Sequence, residues 1–277
     1  AILAATRSWP ERREILTTAV EHPAVLGVCE QLEREGYTVH RIAVDHRGRL
    51  DLQDYAWRLS DRVALVSAMW ANNETGTLFP VVAMAEMAQA AGVPFHTDAV
   101  QAVGKIPVAL RQTAITMLSL SGHKLHGPKG VGALYVRRGS HFQPLLRGGS
   151  QERGRRAGTE NLAGIVGLGR AAELVLADLP EAARRMAGLR DRLQAGILAN
   201  VPGARVTGDV RQRLPNTLNV TFDAVEGEAV VLLLDQAGIA VSNGSACASG
   251  ALESSHVLRA MGLPAGSASG SVRFSLS

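Results

Sequence analysis

The sequence predicts an α/β fold with a mostly parallel central sheet, followed by a smaller α+β unit. Over the first two-thirds of the 277 residues, short runs rich in β-branched residues alternate with amphipathic stretches, which is the pattern of a parallel sheet flanked by helices. A glycine- and arginine-rich stretch at 148–158 then precedes two helical patterns. We therefore expect a large domain at 1–178 and a small domain at 179–277.

The strand candidates of the large domain are six short apolar runs, at 15–18, 39–44, 63–69, 93–96, 117–121 and 131–136. Between the first two, Pro23 suits a first helical turn, an apolar stripe follows it, and Gly36 supplies the stop. A second helix is expected at 81–91, closed by Gly92. Helices at 161–176, 181–200 and 228–237 and strands near 205–207, 218–222 and 272–276 are expected in the remainder.

Both ends of the chain favour an internal piece of a longer protein. The chain opens on AILAA, which is typical of a helix interior without a capping residue, and closes on SVRFSL, which is typical of a strand. We therefore expect both domains to be incomplete at their outer ends.

Composition excludes several classes of protein. Hydrophobic residues make up 46% of the chain, enough for a large core, but charges interrupt every apolar run before the roughly 18 residues of a membrane helix. The net charge of +4 comes from basic residues that are scattered among acids, and the arginines at 147–156 lack interleaved aromatic residues, so a nucleic-acid partner is not expected. A membrane partner is therefore not expected. A metal site is not expected either, since His123 and His126 have no further ligand at suitable spacing.

The chain has two cysteines, Cys29 and Cys247, far apart in sequence. Cys29 falls on the apolar stripe of its helix and is expected in the core, whereas Cys247 lies in a stretch rich in glycine and serine. This pattern argues against a disulfide framework and favours a reducing cytoplasm.

Polar residues follow the candidate strands where ligands gather in open α/β sheets, at the carboxyl ends. They are His22, Asn73, Asp98, Gln101, Ser121, His123 and Lys124. An amine, an acid and a phosphate cradle are what pyridoxal phosphate needs. Lys124 could bind the aldehyde of the cofactor, and Asp98 could bind its ring nitrogen. Gln101 and Asn73 could donate to its ring oxygen. Ser121 and His123 could bind its phosphate. Taken singly, however, a strand-end Asp is more often a helix cap and a lone Lys is more often solvated.

Five motifs make the sequence more specific. They are VEHPAV at 20–25, ANNETG at 71–76, HTDAVQ at 96–101, SGHK at 121–124 and GSAC at 244–247. Together, in this order and over essentially the whole chain, they resemble the cysteine desulfurases, and most closely those of the nitrogen-fixation type that supply sulfur for iron-sulfur clusters. The resemblance implies a fold-type-I pyridoxal-phosphate enzyme, which works as a homodimer with its active site at the subunit interface.

The resemblance also implies a role for each matching residue. Lys124 corresponds to the lysine that binds the cofactor covalently, and Asp98 and Gln101 to the partners of the ring nitrogen and the ring oxygen. His22 corresponds to the imidazole that stacks on the ring. Ser121 and His123 correspond to phosphate ligands, Thr159 to a phosphate ligand supplied by the partner subunit, and Arg273 with Asn73 to the groups that hold the substrate carboxylate.

Cys247 corresponds to the nucleophile of that family. Its small neighbours favour a loop over a packed element, and a thiolate there can take sulfur from L-cysteine as a persulfide, release L-alanine and deliver the sulfur to an acceptor or iron-sulfur scaffold protein. Asn243 and Ala248 stand where similar sequences more often have Ser and Thr. The alternatives are a selenocysteine lyase or an aminotransferase, a catalytically inactive fragment, and a cofactor-free interaction module.

Overall fold

The structure is a computed structural model, and it describes residues 1–244 and 255–277. The chain forms two compact units. The first comprises Ala1–Ile42, Leu52–Trp70 and Pro80–Leu179, and the second comprises Ala43–Asp51, Ala71–Phe79 and Pro180–Ser277. The segments 43–51 and 71–79 thus pack with the second unit, although no pattern in the sequence predicts that they leave the first.

The first unit is built on a six-stranded sheet. Its strands are β1 (Glu14–Thr18), β2 (Thr38–Ile42), β3 (Val63–Ser67), β4 (Phe95–Asp98), β5 (Met117–Ser121) and β6 (Gly132–Val136). They lie in the order β2-β1-β3-β4-β5-β6, all parallel except β6, which is antiparallel to β5. Every residue of β3 is buried, as expected for a central strand covered on both faces. The predicted fold class is confirmed.

Four helices accompany this sheet: α1 (Ile2–Ser8), α2 (Pro23–Arg34), α3 (Leu52–Arg58) and α4 (Val81–Ala90). Cys29 of α2 packs with residues of α1 and of three strands in one apolar cluster and is fully buried, so its predicted place in the core is confirmed. Helix α3 was not predicted. It buries only Tyr55, whose hydroxyl donates to the carbonyl of Met84 (2.7 Å), so its apolar pattern is too weak to reveal a helix.

One helix replaces two that were predicted. Helix α5 (Leu162–Asn200) runs through Pro180 for 39 residues, so the predicted interruption between 176 and 181 is wrong. Proline removes one backbone hydrogen bond, but the residues on both sides are strong helix formers, and helical structure continues through it.

The second unit contains an antiparallel sheet of three strands, in the order β7 (Ala204–Thr207), β8 (Thr217–Phe222) and β9 (Ser271–Ser275). The further helices among its described residues are α6 (Gly227–Gln236), α7 (His256–Ala260) and α8 (Ala265–Ser269). Within the described ranges, no helix combines the length and the apolar character that crossing a membrane requires.

Candidate active site

Lys124 follows the carboxyl end of β5. The strand ends at Ser121, and a 3₁₀ turn over Gly122–Leu125 carries His123 and Lys124. A side chain on Gly122 would lie 2.9 Å from Cγ1 of Val131 and 3.0 Å from its carbonyl oxygen, so this tight turn requires glycine. The Ser121 hydroxyl and Nδ1 of His123 are 2.7 Å apart. Lys124 itself is exposed, so its amine is accessible to a ligand.

Asp98 ends the neighbouring parallel strand, β4. It pairs with Ser119 of β5, which brings it to the same edge of the sheet as Ser121. Its Oδ1 accepts a hydrogen bond from the backbone N–H of Val100 (2.9 Å). Burial raises the pKa of Asp98, while that hydrogen bond and the charge of His22 lower it.

His22 lies between the end of β1 and the start of α2. It caps this helix, because its Nδ1 accepts from the backbone N–H of Ala24 (3.1 Å). In the neutral ring the proton therefore resides on Nε2. His22 is only half-buried, so the Nε2 side of the ring can approach a ligand.

Gln101 and Thr159 have different positions. Gln101 is half-buried in the turn after β4, and its Oε1 accepts from Nζ of Lys105 (3.3 Å). Thr159 is exposed in the segment that precedes α5, and it does not follow a strand of the sheet. The sheet edge therefore collects His22, Asp98, Gln101, Ser121, His123 and Lys124, but Thr159 is not among them.

Asn73 and Arg273 meet in the second unit. Nη1 of Arg273, in β9, donates to the carbonyl oxygen of Asn73 (2.7 Å), and Nη2 lies 3.4 Å from the hydroxyl of Ser242. The turn that carries Asn73 is ordered by Asn72, whose Oδ1 accepts from the backbone N–H groups of residues 74 and 75 (both 2.9 Å). Both Asn73 and Arg273 are half-buried, so neither residue is fully closed off from solvent.

Cys247, the predicted nucleophile, lies outside the described residues. The other cysteine is unsuited to that role. Burial raises the pKa of Cys29 to about 11, so its thiol is neither ionised near neutral pH nor accessible.

Sequence reasoning missed two buried glutamates, each next to a predicted site residue. Glu21 precedes His22 and is fully buried, and Glu74 follows Asn73 and is 1% exposed. Both belong to the motifs that carry the family resemblance. The signal that could have revealed Glu21 is an acid between the end of an apolar strand and a helix-capping histidine.

The described residues at the sheet edge fit pyridoxal phosphate. Lys124 offers an exposed amine, and Ser121 with His123 offers hydrogen-bonding groups for a phosphate. Burial disfavours the ionised form of the Asp98 carboxyl group, and a cationic ring nitrogen beside this group would remove that cost. Among the residues that the structure describes, no group of three or more His, Cys, Asp or Glu side chains could hold a metal ion.

Comparison with known proteins identifies the family. Residues 1–277 match the family model described as aminotransferase class-V. The chain is 62% identical to the cysteine desulfurase NifS of Azotobacter vinelandii over 277 residues, which are 100% of this chain and 69% of that protein. It is 65% identical to a cysteine desulfurase of Cereibacter sphaeroides over 278 aligned positions, which cover 100% of this chain and 71% of that protein.

A solved structure shows the same architecture. A NifS-like protein superposes with a TM-score of 0.91 at 39% identity, covering 99% of this chain and 73% of the other. The family resemblance drawn from the five motifs is therefore confirmed. The chain belongs to the class-V aminotransferase family and, within it, to the cysteine desulfurases.

Proposed function

We propose that this chain removes sulfur from L-cysteine with pyridoxal phosphate as its cofactor, and that Cys247 holds the sulfur as a persulfide while L-alanine leaves. One observation carries the proposal. Asp98 and the turn with Ser121, His123 and Lys124 occupy the carboxyl ends of two neighbouring parallel strands. An acid, a phosphate cradle and an amine thus lie at one edge of the sheet.

Each of these groups has a task in holding the cofactor. Lys124 would hold the cofactor covalently through its side-chain amine, and Ser121 and His123 would bind its phosphate. Asp98 would pair with the ring nitrogen and Gln101 with the ring oxygen, and the His22 ring would stack on the cofactor ring. When bound, the cofactor supplies an electron sink that weakens the bonds around the substrate α-carbon.

Arg273 and Asn73 suit the substrate carboxylate. Arg273 is positioned by its hydrogen bond to the Asn73 carbonyl, so the guanidinium can be presented to a carboxylate without a large loss of side-chain freedom. His22 can move a proton at Nε2, because Nδ1 is engaged by the backbone of α2.

Cys247 carries the sulfur-transfer step of the proposal. Its thiolate attacks the sulfur of the substrate, an S–S bond forms, and the carbon–sulfur bond breaks with its electron pair remaining on the carbon. That carbon takes up a proton and becomes the methyl group of L-alanine. Buried Cys29 cannot replace Cys247 in this role.

The proposal extends to partners. Two copies of the chain would form a homodimer in which Thr159 would contact the cofactor phosphate of the partner subunit. The exposure of Thr159 in the segment before α5 supports this, because it leaves the side chain accessible to a second copy. A sulfur-acceptor or iron-sulfur scaffold protein would then receive the persulfide sulfur for the assembly of iron-sulfur clusters, including those of nitrogenase.

A solved structure of a related protein supports the substrate. SspA in complex with cysteine is 34% identical to this chain, with a TM-score of 0.84, and the match covers 99% of this chain and 76% of SspA. This supports L-cysteine as the substrate. A cytoplasmic location remains a prediction.

The full-length protein allows a direct test with two variants and one control. Lys124→Ala should abolish the absorbance of covalently bound pyridoxal phosphate. Cys247→Ala should retain that absorbance but release no sulfide from L-cysteine. Cys29→Ser, the matched cysteine control, should retain both properties, and mass spectrometry should detect one added sulfur on the Cys247 peptide.

Two results would contradict the proposal. Sulfide release by Cys247→Ala would favour a selenocysteine lyase or an aminotransferase that does not use this cysteine. Purification of the wild type without cofactor, and failure to bind added pyridoxal phosphate, would instead favour the cofactor-free module.

A further inference from the structure

Glu21 occupies a structural position that the proposed mechanism does not use. It lies in the turn between β1 and α2, directly before His22, and none of its surface is exposed. Its Oε1 accepts two hydrogen bonds, from the hydroxyl of Thr18 (2.7 Å) and from the backbone N–H of Met69 (2.8 Å). A side chain on this turn is therefore fixed to the segment that follows β3.

The hydrogen bond between Met69 and Glu21 lies just beyond the point where the pairing of β1 with β3 ends. In the parallel pairing of β1 with β3, Thr17 opposite Ser67 is the last pair, and β1 ends one residue later. Met69 lies two residues beyond that pair and is 2% exposed, so its backbone N–H needs an acceptor inside the protein. The carboxyl oxygen of Glu21 provides it.

A second hydrogen bond extends the connection to Asp98. The backbone N–H of Trp70, the neighbour of Met69, donates to the carbonyl oxygen of Asp98 (2.9 Å). His22 is covalently adjacent to Glu21, so only two hydrogen bonds separate His22 from Asp98 along this path. Both residues are predicted to contact the cofactor.

We infer that Glu21 is a positioning residue, which holds the turn of His22 at a fixed distance from Asp98 through the backbone N–H of Met69. The inference deepens the proposed function and rests on it, since His22 and Asp98 flank the cofactor only if that function is correct. Burial, and to a lesser extent the charge of Asp98, raises the pKa of Glu21 to about 8, which favours a neutral carboxyl group near neutral pH. A neutral acceptor holds the turn without adding a second anion beside Asp98.

Three variants of the full-length protein separate positioning from stability. Glu21→Gln keeps a neutral acceptor of the same length, and Glu21→Leu keeps a similar volume but removes the acceptor. Thr18→Val is the matched control, because it removes the other donor to the same oxygen and leaves Met69 paired. If Glu21→Leu does not fold, Glu21→Asp provides the comparison, since its carboxyl group is one methylene too short to reach Met69.

The first measurement needs neither cofactor nor substrate. In the cofactor-free protein, nitrogen NMR of the His22 ring should show a single tautomer protonated at Nε2 for the wild type, Glu21→Gln and Thr18→Val. Glu21→Leu, or Glu21→Asp in its place, should show a mixture of tautomers, because the helix cap is no longer fixed. This measurement remains informative even if the proposed function fails.

The second measurement is kinetic. Because misplacement by about 1 Å can cost on the order of a hundredfold, kcat with L-cysteine should fall by roughly ten- to a hundredfold in Glu21→Leu. KM should change little, because the Arg273 region is not altered, and the other two variants should remain within about threefold of the wild type.

The inference is overturned if Glu21→Leu keeps the single His22 tautomer and a kcat that tracks only the folded fraction measured by thermal melting. It is also overturned if Thr18→Val changes kcat as much as Glu21→Leu. A wild type without desulfurase activity but with the expected NMR differences would instead reject the proposed function and retain the positioning role.

Discussion

Each of the two compact units buries a glutamate beside a predicted site residue, and the two carboxyl groups have different surroundings. Glu21 of the first unit accepts hydrogen bonds from a hydroxyl and from a backbone N–H. The charged group that shifts its pKa is another acid, Asp98. Glu74 of the second unit accepts from the hydroxyl of Ser255 (2.5 Å). Its charged neighbours, His256 and Arg273, are both cationic when protonated.

These surroundings give the two acids different properties. Burial raises the pKa of both, but nearby cations lower the pKa of Glu74, whereas Asp98 raises that of Glu21 further. Glu21 is thus suited to act as a neutral acceptor, and Glu74 as a partner of cations and of the helix cap at Ser255. Similar burial therefore does not imply a similar role, because the neighbouring charges decide it.

The largest expected effect concerns the pH dependence of stability at Glu21. Its pKa is about 8 in the folded protein against 4.5 as the reference value, so between these pH values the unfolded chain has lost a proton that the native protein keeps. The native state then binds more protons, and the free energy of unfolding falls as the pH rises from about 5 to 8, by roughly 3 to 4 kcal/mol.

Urea denaturation at several pH values measures this effect. Glu21→Gln is the control, because its side chain does not titrate. Titratable neighbours on other elements, Asp98 of β4 and Cys29 of α2, are present in both proteins, so their contribution largely cancels. Parallel stability curves for the wild type and Glu21→Gln would show that Glu21 is ionised in the native state.

A smaller effect is expected at Glu74. Glu74→Ala removes the acceptor of Ser255 and the carboxylate near Arg273 and His256, and should lower the free energy of unfolding by about 2 to 3 kcal/mol at neutral pH. Glu74→Gln keeps an acceptor oxygen and should cost only about 1 kcal/mol. Equal losses in the two variants, measured by urea denaturation, would contradict the importance of the Ser255 hydrogen bond.

The smallest expected effect is that Cys29 of α2, which lies near Glu21, does not react with an alkylating reagent in the folded protein. Its thiol has a pKa of about 11 and is fully buried, so iodoacetamide near pH 8 should leave it unmodified in the folded protein and modify it after denaturation. Mass spectrometry of the Cys29 peptide measures this. Glu21→Gln should protect the thiol equally, and rapid alkylation in the native wild type would show that the packing around α2 opens readily.

The common position of several candidate site residues could be predicted from the sequence, because the required signal was local. Asp98, Ser121, His123 and Lys124 follow short apolar strands, and parallel pairing brings their carboxyl ends to one edge. The interruption of α5 at Pro180 was predicted wrongly, because a local rule about proline was outweighed by the helix formers around it. The short helix α3 escaped prediction, since it is stabilised by the remote carbonyl of Met84.

The sequence by itself determined the family, the order of the main elements and the residue types available for chemistry, since motifs and hydrophobic periodicity are properties of consecutive residues. Only the tertiary structure decided the roles of Glu21 and Glu74. Their partners, Met69 and Ser255, lie 48 and 181 residues away along the chain, and burial, which shifts their pKa values, exists only once distant segments pack together.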